Sequence, residues 1–368
     1  MKILQIVRQF RPSTGGLENA VEGLSHAVQE AGHEVNIVTL RKIFSTGELA
    51  PMCSIEKGLN ISRISSWGSR RYSIAPGVLK HIDSHDVLHV HAVDFFIDFL
   101  AFSKVFHKRP IVLSTHGGFF HTAWMRRFKA AYFRTVTRQS LKSVAAVACV
   151  SEHDYDLFSR IVPAEKLHLV RNGVEVESYA SLKKAITPGM VIGIGRIAKN
   201  KGIDQVIRAI AEVSKTHANV KLVWVGPDVE HRLVSLEQLA RELGVAERVH
   251  FVGGIASEEL RDILSRAHLF VSGSTYEGYG LSTVEAMSSG TVPVVTRVGI
   301  HPQLVDSGTN GFLVDGDPRS IANGLRNALG LGCMALADMG KAAQEVSLRC
   351  SWRYAVQPYL DIYRTVAS

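Results

Sequence analysis

The sequence predicts an α/β protein built from two doubly wound domains with parallel sheets. Three observations predict it. A chain of 368 residues is too long for one ordinary core and suits two domains of about 150–200 residues each. Its amino end reads as an apolar strand, a glycine-bearing turn, a helix and a second strand. The same order restarts near residue 190.

Lys2–Val7 is the first strand, followed by the turn "RQFRPSTGGLE", a helix through Glu18–Glu30 that stops at Gly32, and a strand Val35–Leu40. A strand, a helix and a strand in this order imply parallel pairing. Further apolar runs follow at Val87–His91, Ile111–Ser114 and Val144–Val150. In the second half, "MVIGIGRIAKNKG" supplies a strand and loop, Ile203–Thr216 a helix and Lys221–Val225 a strand. Val249–Val252, Leu269–Ser272 and Val292–Val295 continue the series, and Ser282–Ser289 reads as a helix. "KKAITPG", Lys183–Gly189, carries the polar, Pro and Gly punctuation of a linker, so the domains are expected at 1–185 and 186–350. Ligands of open α/β sheets bind beyond the carboxyl ends of the strands, which places the expected site in a cleft between the domains.

Composition narrows the class. With 46% apolar and 21% charged residues, the chain is globular rather than disordered. No leader pattern precedes the first strand and no window reaches the apolar length of a membrane span, so a cytoplasmic protein is expected. Cys53, Cys149, Cys333 and Cys350 lie far apart with no C-x-x-C pair, which argues against a disulfide framework or a zinc site. The net charge of +8 is concentrated: residues 1–185 hold 24 Lys and Arg against 16 Asp and Glu, whereas 186–368 hold 18 of each.

"GIGRIAKNKG", Gly193–Gly202, superficially fits a dinucleotide fingerprint. The acid that should follow some 20 residues later would fall inside the helix, at Glu212–Val213, so the NAD reading fails its second condition. What remains is Arg196 and Lys201 around a helix start, suited to a diphosphate or else two solvated charges. "STYEGYGLSTVEAM" adds Glu277 before a glycine turn and Glu285 in the first turns of a helix. Backbone N–H groups of Gly278, Tyr279, Gly280 and Leu281 would point at the same ligand. Two carboxylates could serve as a glycosidase acid and base, but that pair must straddle a glycosidic bond at a defined separation. One Glu on a sugar and one on a ribose fits better. As a purely structural alternative, Glu285 would complement the helix dipole for about 0.3–1 kcal/mol.

Taken together, "PSTGGLE", "STHGG", "GRIAKNKG" and "EGYGLSTVEAM" resemble the retaining glycosyltransferases of family 4 over nearly the whole chain. The resemblance implies the GT-B fold, two facing Rossmann-like domains. It makes 1–185 an acceptor-binding, membrane-facing domain, 186–350 a nucleotide-sugar domain, and 351–368 a helix crossing back to the first domain. "VRQFRPSTGGLE", "RYSIAPGVL", "VDFFIDFLAFSK" and "LSTHGGFFHT" further resemble the bacterial exopolysaccharide mannosyltransferases of that family. This implies a GDP-mannose donor and a cellobiosyl-diphosphopolyprenol acceptor. A UDP-glucose or UDP-GlcNAc transferase is the alternative, with a sugar-nucleotide epimerase or a non-catalytic binding subunit further away. Carried over, Arg196 and Lys201 become the diphosphate clamp, Glu277 the sugar contact, Glu285 the ribose contact, Gly15 and Gly16 a close-approach loop, and His116 a catalytic group facing the sugar. The family uses these cations in place of a metal, so no cofactor is expected, and front-face attack with retention follows.

Other residues are weighed beside these. His121 is equally an acceptor contact or a packing residue; His89 and His91 share a strand face with no third ligand nearby, and Asp94 is a minor acceptor candidate. Asp154-x-Asp156 and Asp315-x-Asp317 spell D-x-D without following a nucleotide-binding strand. From His121 to Ser143 the chain is basic and acid-free, with Trp124, Arg126, Arg127 and Lys129 at its start. That pattern suits an anionic membrane surface at the inner face of the plasma membrane, against the alternative of a solvated basic face. Nucleic acid is not expected as a partner.

Overall fold

The computed structural model describes residues 1–13, 15–70, 72–116, 131–277 and 280–368, which form two compact units, Met1–Gly173 with Trp352–Ser368, and Val174–Ser351.

The first unit is an eight-stranded sheet. Its strands are β1 Lys2–Ile6, β2 Glu34–Leu40, β3 Cys53–Glu56, β4 Leu59–Ile64, β7 Val87–His91, β8 Ile111–Ser114, β9 Ala146–Cys149 and β10 Leu167–Leu169, with a separate hairpin of β5 Trp67–Ser69 and β6 Tyr72–Ile74. The order is β10-β9-β8-β7-β1-β2-β4-β3, parallel except for the β3–β4 edge. β7, β8 and β9 are buried along their whole length, as expected of parallel strands covered on both faces. Their sequences are accordingly apolar runs interrupted by small residues and by His89 and His91.

The helix Gly16–Glu30 buries Val21, Leu24, Ala27 and Val28 at helical spacing. On the same side, the last helix, Trp352–Ala367, packs Val356, Tyr359, Leu360, Ile362 and Tyr363 into a cluster with Ile3, Leu24, Val87 and Val112. Trp352 starts that helix between two glycines. A Cβ on Gly23 would stand 1.9 Å from its Nε1, and one on Gly173 2.4 Å from its Cδ2. The carboxyl-terminal helix therefore belongs to the first unit.

The second unit is a six-stranded parallel sheet of β11 Met190–Ile194, β12 Lys221–Val225, β13 Val249–Gly253, β14 Leu269–Ser272, β15 Val292–Thr296 and β16 Phe312–Val314. Its order is β13-β12-β11-β14-β15-β16. The helices Ile203–Ser214 and Pro318–Leu329 pack against it with Ile203, Val206, Ile210, Ile321 and Leu325. Trp224 lies buried across β11, where only Gly193 leaves room for its ring: a Cβ there would fall 2.3 Å from Trp224 Cε3.

Two features depart from the sequence reading. The passage between units lies at Gly173–Val174, not at 185/186. Val174, Val176 and Tyr179 join the second core, and the buried Lys184 ammonium donates to the carbonyls of Leu264 (2.7 Å) and Ala267 (3.1 Å) and to Thr291 Oγ1 (2.8 Å). The segment is polar in composition, yet these residues tie it into the second unit. The edge strands between Cys53 and Ile74 were also not predicted, because they are short, half-exposed and lack a continuous apolar run.

Overpacking the Trp352 seat should loosen the last helix. Gly173→Ala is expected to destabilise the first unit by about 1–3 kcal/mol. Chemical denaturation, with amide exchange across Trp352–Ala367, measures the loss.

Candidate functional site

In the second unit the site residues stand on the loops that leave the carboxyl ends of β11, β14 and β15. The β11 loop carries Arg196 and Lys201, and the β14 loop carries Glu277. The two loops meet backbone to backbone: Gly202 has φ 59°, and a Cβ on it would lie 2.0 Å from the Gly273 carbonyl oxygen. Thr275 N–H donates to the Asn200 carbonyl (2.9 Å), closing the junction. A side chain at either glycine would force the loops apart.

Across this junction the Lys201 Nζ meets Glu277 Oε2 at 2.7 Å, with the two side chains only 15% and 14% exposed. The Ser274 hydroxyl donates to the same oxygen (3.2 Å), while the Thr296 hydroxyl holds the Ser274 carbonyl (2.6 Å). Gly299, at φ 53°, passes so close to the Glu277 backbone that a Cβ would lie 1.8 Å from its carbonyl oxygen. The carboxylate thus has a fixed place and a cation already beside it. Arg196 is exposed and makes no ion pair among the described residues.

The helix Leu281–Ser288 opens on Gly280, held at φ 67° against Ile300 and His301. His301 is fully buried. Its Nδ1–H donates to the Thr296 carbonyl (2.8 Å), which leaves Nε2 to accept from the Thr283 hydroxyl (3.0 Å). Burial lowers its pKa, with the Glu277 carboxylate opposing and the Lys201 ammonium adding to the effect. One turn into the helix, Glu285 accepts a hydrogen bond from the Tyr179 hydroxyl. Although the residue keeps some surface, its carboxyl group is densely surrounded, and burial pushes its pKa up to about 7 against the Tyr179 bond.

In the first unit, His116 follows β8 in the left-handed region at φ 49°. Its Nε2 lies 2.9 Å from His91 Nδ1, and His91 Nε2 lies 2.6 Å from Gln5 Oε1. Because that oxygen only accepts, His91 carries its proton on Nε2 and accepts at Nδ1 from His116 Nε2–H. His116 Nδ1 is left as a lone-pair acceptor. The chain continues inward: Gln5 Nε2 donates to the Tyr363 hydroxyl (3.5 Å), which donates to His89 Nδ1 (2.6 Å), and His89 Nε2–H donates to Ser114 Oγ (2.8 Å). Burial pushes His116 down to about 4 and His89 to about 3, and holds His91 well below its ordinary value, with repulsion among the rings adding for the latter two. At neutral pH all three are uncharged.

A fixed, shielded carboxylate beside an ammonium, a free guanidinium and a second carboxyl on a helix can hold an anion and several hydroxyls at once. The comparisons with known proteins bear on which. Residues 14–178 match the family described as Glycosyltransferase Family 4, and residues 177–346 match Glycosyl transferases group 1. The chain is 36% identical over 368 residues, 99% of its length and 96% of the relative's, to the GDP-mannose:cellobiosyl-diphosphopolyprenol alpha-mannosyltransferase of Xanthomonas campestris.

The chain belongs to glycosyltransferase family 4.

A second relative with the same name, from Komagataeibacter xylinus, is 33% identical over all of this glycosyltransferase and 93% of its own length. Among solved structures, sucrose-phosphate synthase from Thermosynechococcus elongatus superposes with a TM-score of 0.77 at 19% identity, covering 100% and 99% of the two chains. The catalytic domain of starch synthase IV from Arabidopsis thaliana gives 0.76 at 15%, covering 99% of each. These likenesses share the GT-B fold class of two Rossmann-like units with parallel sheets.

Of the residues the sequence singled out, the structure brings Lys201 and Glu277 into direct contact and sets Gly280, Leu281 and Glu285 on the adjoining helix. Gly15 and Gly16 lie at the start of the first helix, after β1. Gly15 is extended, and a Cβ on it would lie 2.6 Å from Glu18 Oε2, whereas one on Gly16 would meet nothing within 4 Å, so no packing demands glycine at Gly16. Gly278, Tyr279, His121, Trp124, Arg126, Arg127 and Lys129 lie outside the described residues. Both D-x-D pairs have structural work: Asp154 accepts from the Thr115 hydroxyl (2.6 Å), and Asp317 caps the helix Pro318–Leu329. Asp94 caps the helix Phe95–His107, accepting from Phe96 N–H (2.9 Å).

Sequence reasoning missed Tyr179 and His301. Tyr179 sat in the supposed end of the first domain, and a histidine two residues past a glycine carried no motif. Nor does the sequence foretell the hydrogen bond between His91 and His116, 25 residues apart.

Two outcomes are expected. Gly202→Ala should cost about 2 kcal/mol or more through its left-handed φ and the collision with Gly273, and should weaken anion binding at Lys201, as titration calorimetry would show. Acidification should act oppositely on the histidine chain of the first unit and on Glu285 of the second. The folded histidines resist protonation below the unfolded pKa of 6.5, so stability conferred by β7 and β8 is full above that value and falls as the pH drops towards 4, by up to about 1.4 kcal/mol per pH unit per histidine. Glu285 binds its proton more tightly when folded, so its carboxyl favours the second unit below about pH 4.5, and that advantage is lost as the pH rises to about 7. Peptide-resolved exchange protection at pH 7 and pH 5.5, corrected for intrinsic rates, should fall in β7 and β8.

Proposed function

We propose that this family-4 glycosyltransferase moves mannose from GDP-mannose to a polyprenyl-diphosphate-linked oligosaccharide, cellobiosyl-diphosphopolyprenol, in bacterial exopolysaccharide assembly. The observation that carries the reading is the likeness, at 36% and 33% identity and nearly full length, to enzymes named for that reaction. The site supplies parts that fit it.

Lys201 and Arg196 hold the donor diphosphate, Glu277 accepts hydroxyls of the mannose, and Glu285 accepts the ribose hydroxyls. In this reading Lys201 exchanges part of its bond to Glu277 Oε2 for phosphate oxygens, and the carboxylate, held in place, accepts from the sugar at its other oxygen. Gly15 and Gly16 leave room for a phosphate or acceptor to approach the backbone.

The C1–O bond to phosphate breaks with its electron pair leaving on GDP. Charge grows there as the sugar becomes oxocarbenium-like, and two preorganised cations stabilise that state more than the ground state. The acceptor hydroxyl attacks C1 from the same face, its oxygen forms the new bond, and its proton passes to the departing phosphate oxygen. An α donor then gives an α product. His116 contributes a neutral imidazole whose Nδ1 accepts from a sugar hydroxyl, since burial keeps it from bearing charge at neutral pH. The cations make a metal unnecessary for this charge. Among the described residues no helix is long and apolar enough to cross a membrane, and the lipid acceptor is met by peripheral attachment to the inner face of the plasma membrane.

Calorimetry with GDP, GDP-mannose, UDP and UDP-glucose, with and without EDTA, tests the donor. Guanosine ligands are expected to bind selectively, unaffected by EDTA, and Glu285→Ala to weaken them about tenfold or more, the cost of about 1.4 kcal/mol in lost ribose bonds. Selective uridine binding would overturn the donor, an EDTA-sensitive affinity would overturn metal independence, and no binding would overturn transfer itself.

A further inference from the structure

The helix Phe95–His107 buries Phe95, Phe96, Ile97, Leu100 and Ala101 against the first sheet, as any crossover helix does. Its last two turns are apolar on the outer side as well. Phe102 is 81% exposed, Val105 72% and Phe106 83%. Scattered apolar residues on a surface are ordinary, but three large ones at i, i+3 and i+4 make one continuous stripe.

The described chain near that stripe is predominantly basic. Among the described residues 99–116 and 131–151 there are six Lys and Arg and no Asp or Glu. Lys108, Arg134, Arg138 and Lys142 are exposed. The helix Arg138–Lys142 lies beside Phe95–His107, joined by the Ser140 hydroxyl to Asp98 Oδ1 (2.6 Å) and by Lys104 Nζ to the Ser143 carbonyl (2.5 Å). Asp98, the acid that ends the run, accepts from Tyr72, Tyr132 and Ser140 and is the one carboxylate within this helix, against the six bases.

We infer that Phe102, Val105 and Phe106 form a wedge that enters an anionic lipid bilayer, with Lys108, Arg134, Arg138 and Lys142 meeting the headgroup phosphates. Apolar side chains reach below the headgroups while each nearby cation contributes about 1 kcal/mol at the surface. A second copy of the chain fits poorly, because a two-fold contact would set the same positive rim against itself. Nucleic acid would satisfy the cations and leave both phenylalanines in water. The inference rests on the lipid-linked acceptor for its purpose, but the binding is measured without any acceptor.

The purified full chain is sedimented with vesicles of phosphatidylcholine containing about 30 mol% phosphatidylglycerol, and with pure phosphatidylcholine. The chain should partition into the anionic vesicles and hardly into the neutral ones. The exposed triple variant F102S/V105S/F106S should bind about tenfold or more weakly, and K108E/R138E should lose binding in a salt-dependent way. Unchanged GDP affinity in both variants shows that they fold. Equal binding by the triple variant, or no binding by the parent chain, overturns the wedge. So does a dimer in sedimentation equilibrium that the triple variant abolishes without any effect on vesicles. Normal vesicle binding with no guanosine affinity would overturn the donor reading and leave the wedge standing.

Discussion

The loop junction at the carboxyl edge of the second sheet depends on one steric permission: two backbones may touch at Gly202 and Gly273. Without that contact the loop after β11 could not lie against the loop after β14, and Lys201 could not reach Glu277 at 2.7 Å. The strands beneath enforce the same closeness, since β11 and β14 are parallel neighbours whose carboxyl ends rise side by side. Sheet order therefore decides which residues distant in sequence become partners, and glycine decides how closely they come. Gly299 repeats the device from the next strand over, pressing on the Glu277 backbone and fixing where the carboxylate points.

The first unit solves a different problem. Its central strands bury polar residues, Gln5, His89 and His91, that an apolar core would ordinarily reject. They are tolerated because each finds donors and acceptors in one chain running from Ser114 through Tyr363 and Gln5 to His116. The chain fixes a proton position at its outer end, so the imidazole of His116 is set by residues buried in the sheet behind it. A left-handed backbone at His116 is part of the same arrangement.

The double α/β pattern was legible in the sequence because buried parallel strands are apolar runs that end in glycine or polar residues, and nearly every central strand obeys this. Edge strands between Cys53 and Ile74 were not, since half-exposed strands of three to six residues resemble loops. The linker was misplaced for a related reason: Lys184 reads as surface, but its ammonium is buried under two carbonyls and a hydroxyl. At the site, Glu277, Lys201 and Glu285 were readable from their glycine-rich surroundings. Their pairing was not, because 76 residues separate Lys201 from Glu277 and only the strand order joins them. Tyr179 and His301 carry no local signature at all; what they do follows from packing.

The placement of the last helix has a bearing on how the chain is made. Residues 174–351 are an insertion between two parts of the first unit, and Tyr363 lies beyond that insertion. During synthesis the second unit has all its strands before the first has received Trp352 or Tyr363, so the later-encoded unit is able to finish first. The nascent first unit meanwhile carries an open seat between Gly23 and Gly173 and a histidine chain lacking its tyrosine. His116 thus acquires its fixed proton only when the final helix docks, and a chain interrupted before residue 352 would hold a complete donor-side loop junction and an unfinished imidazole.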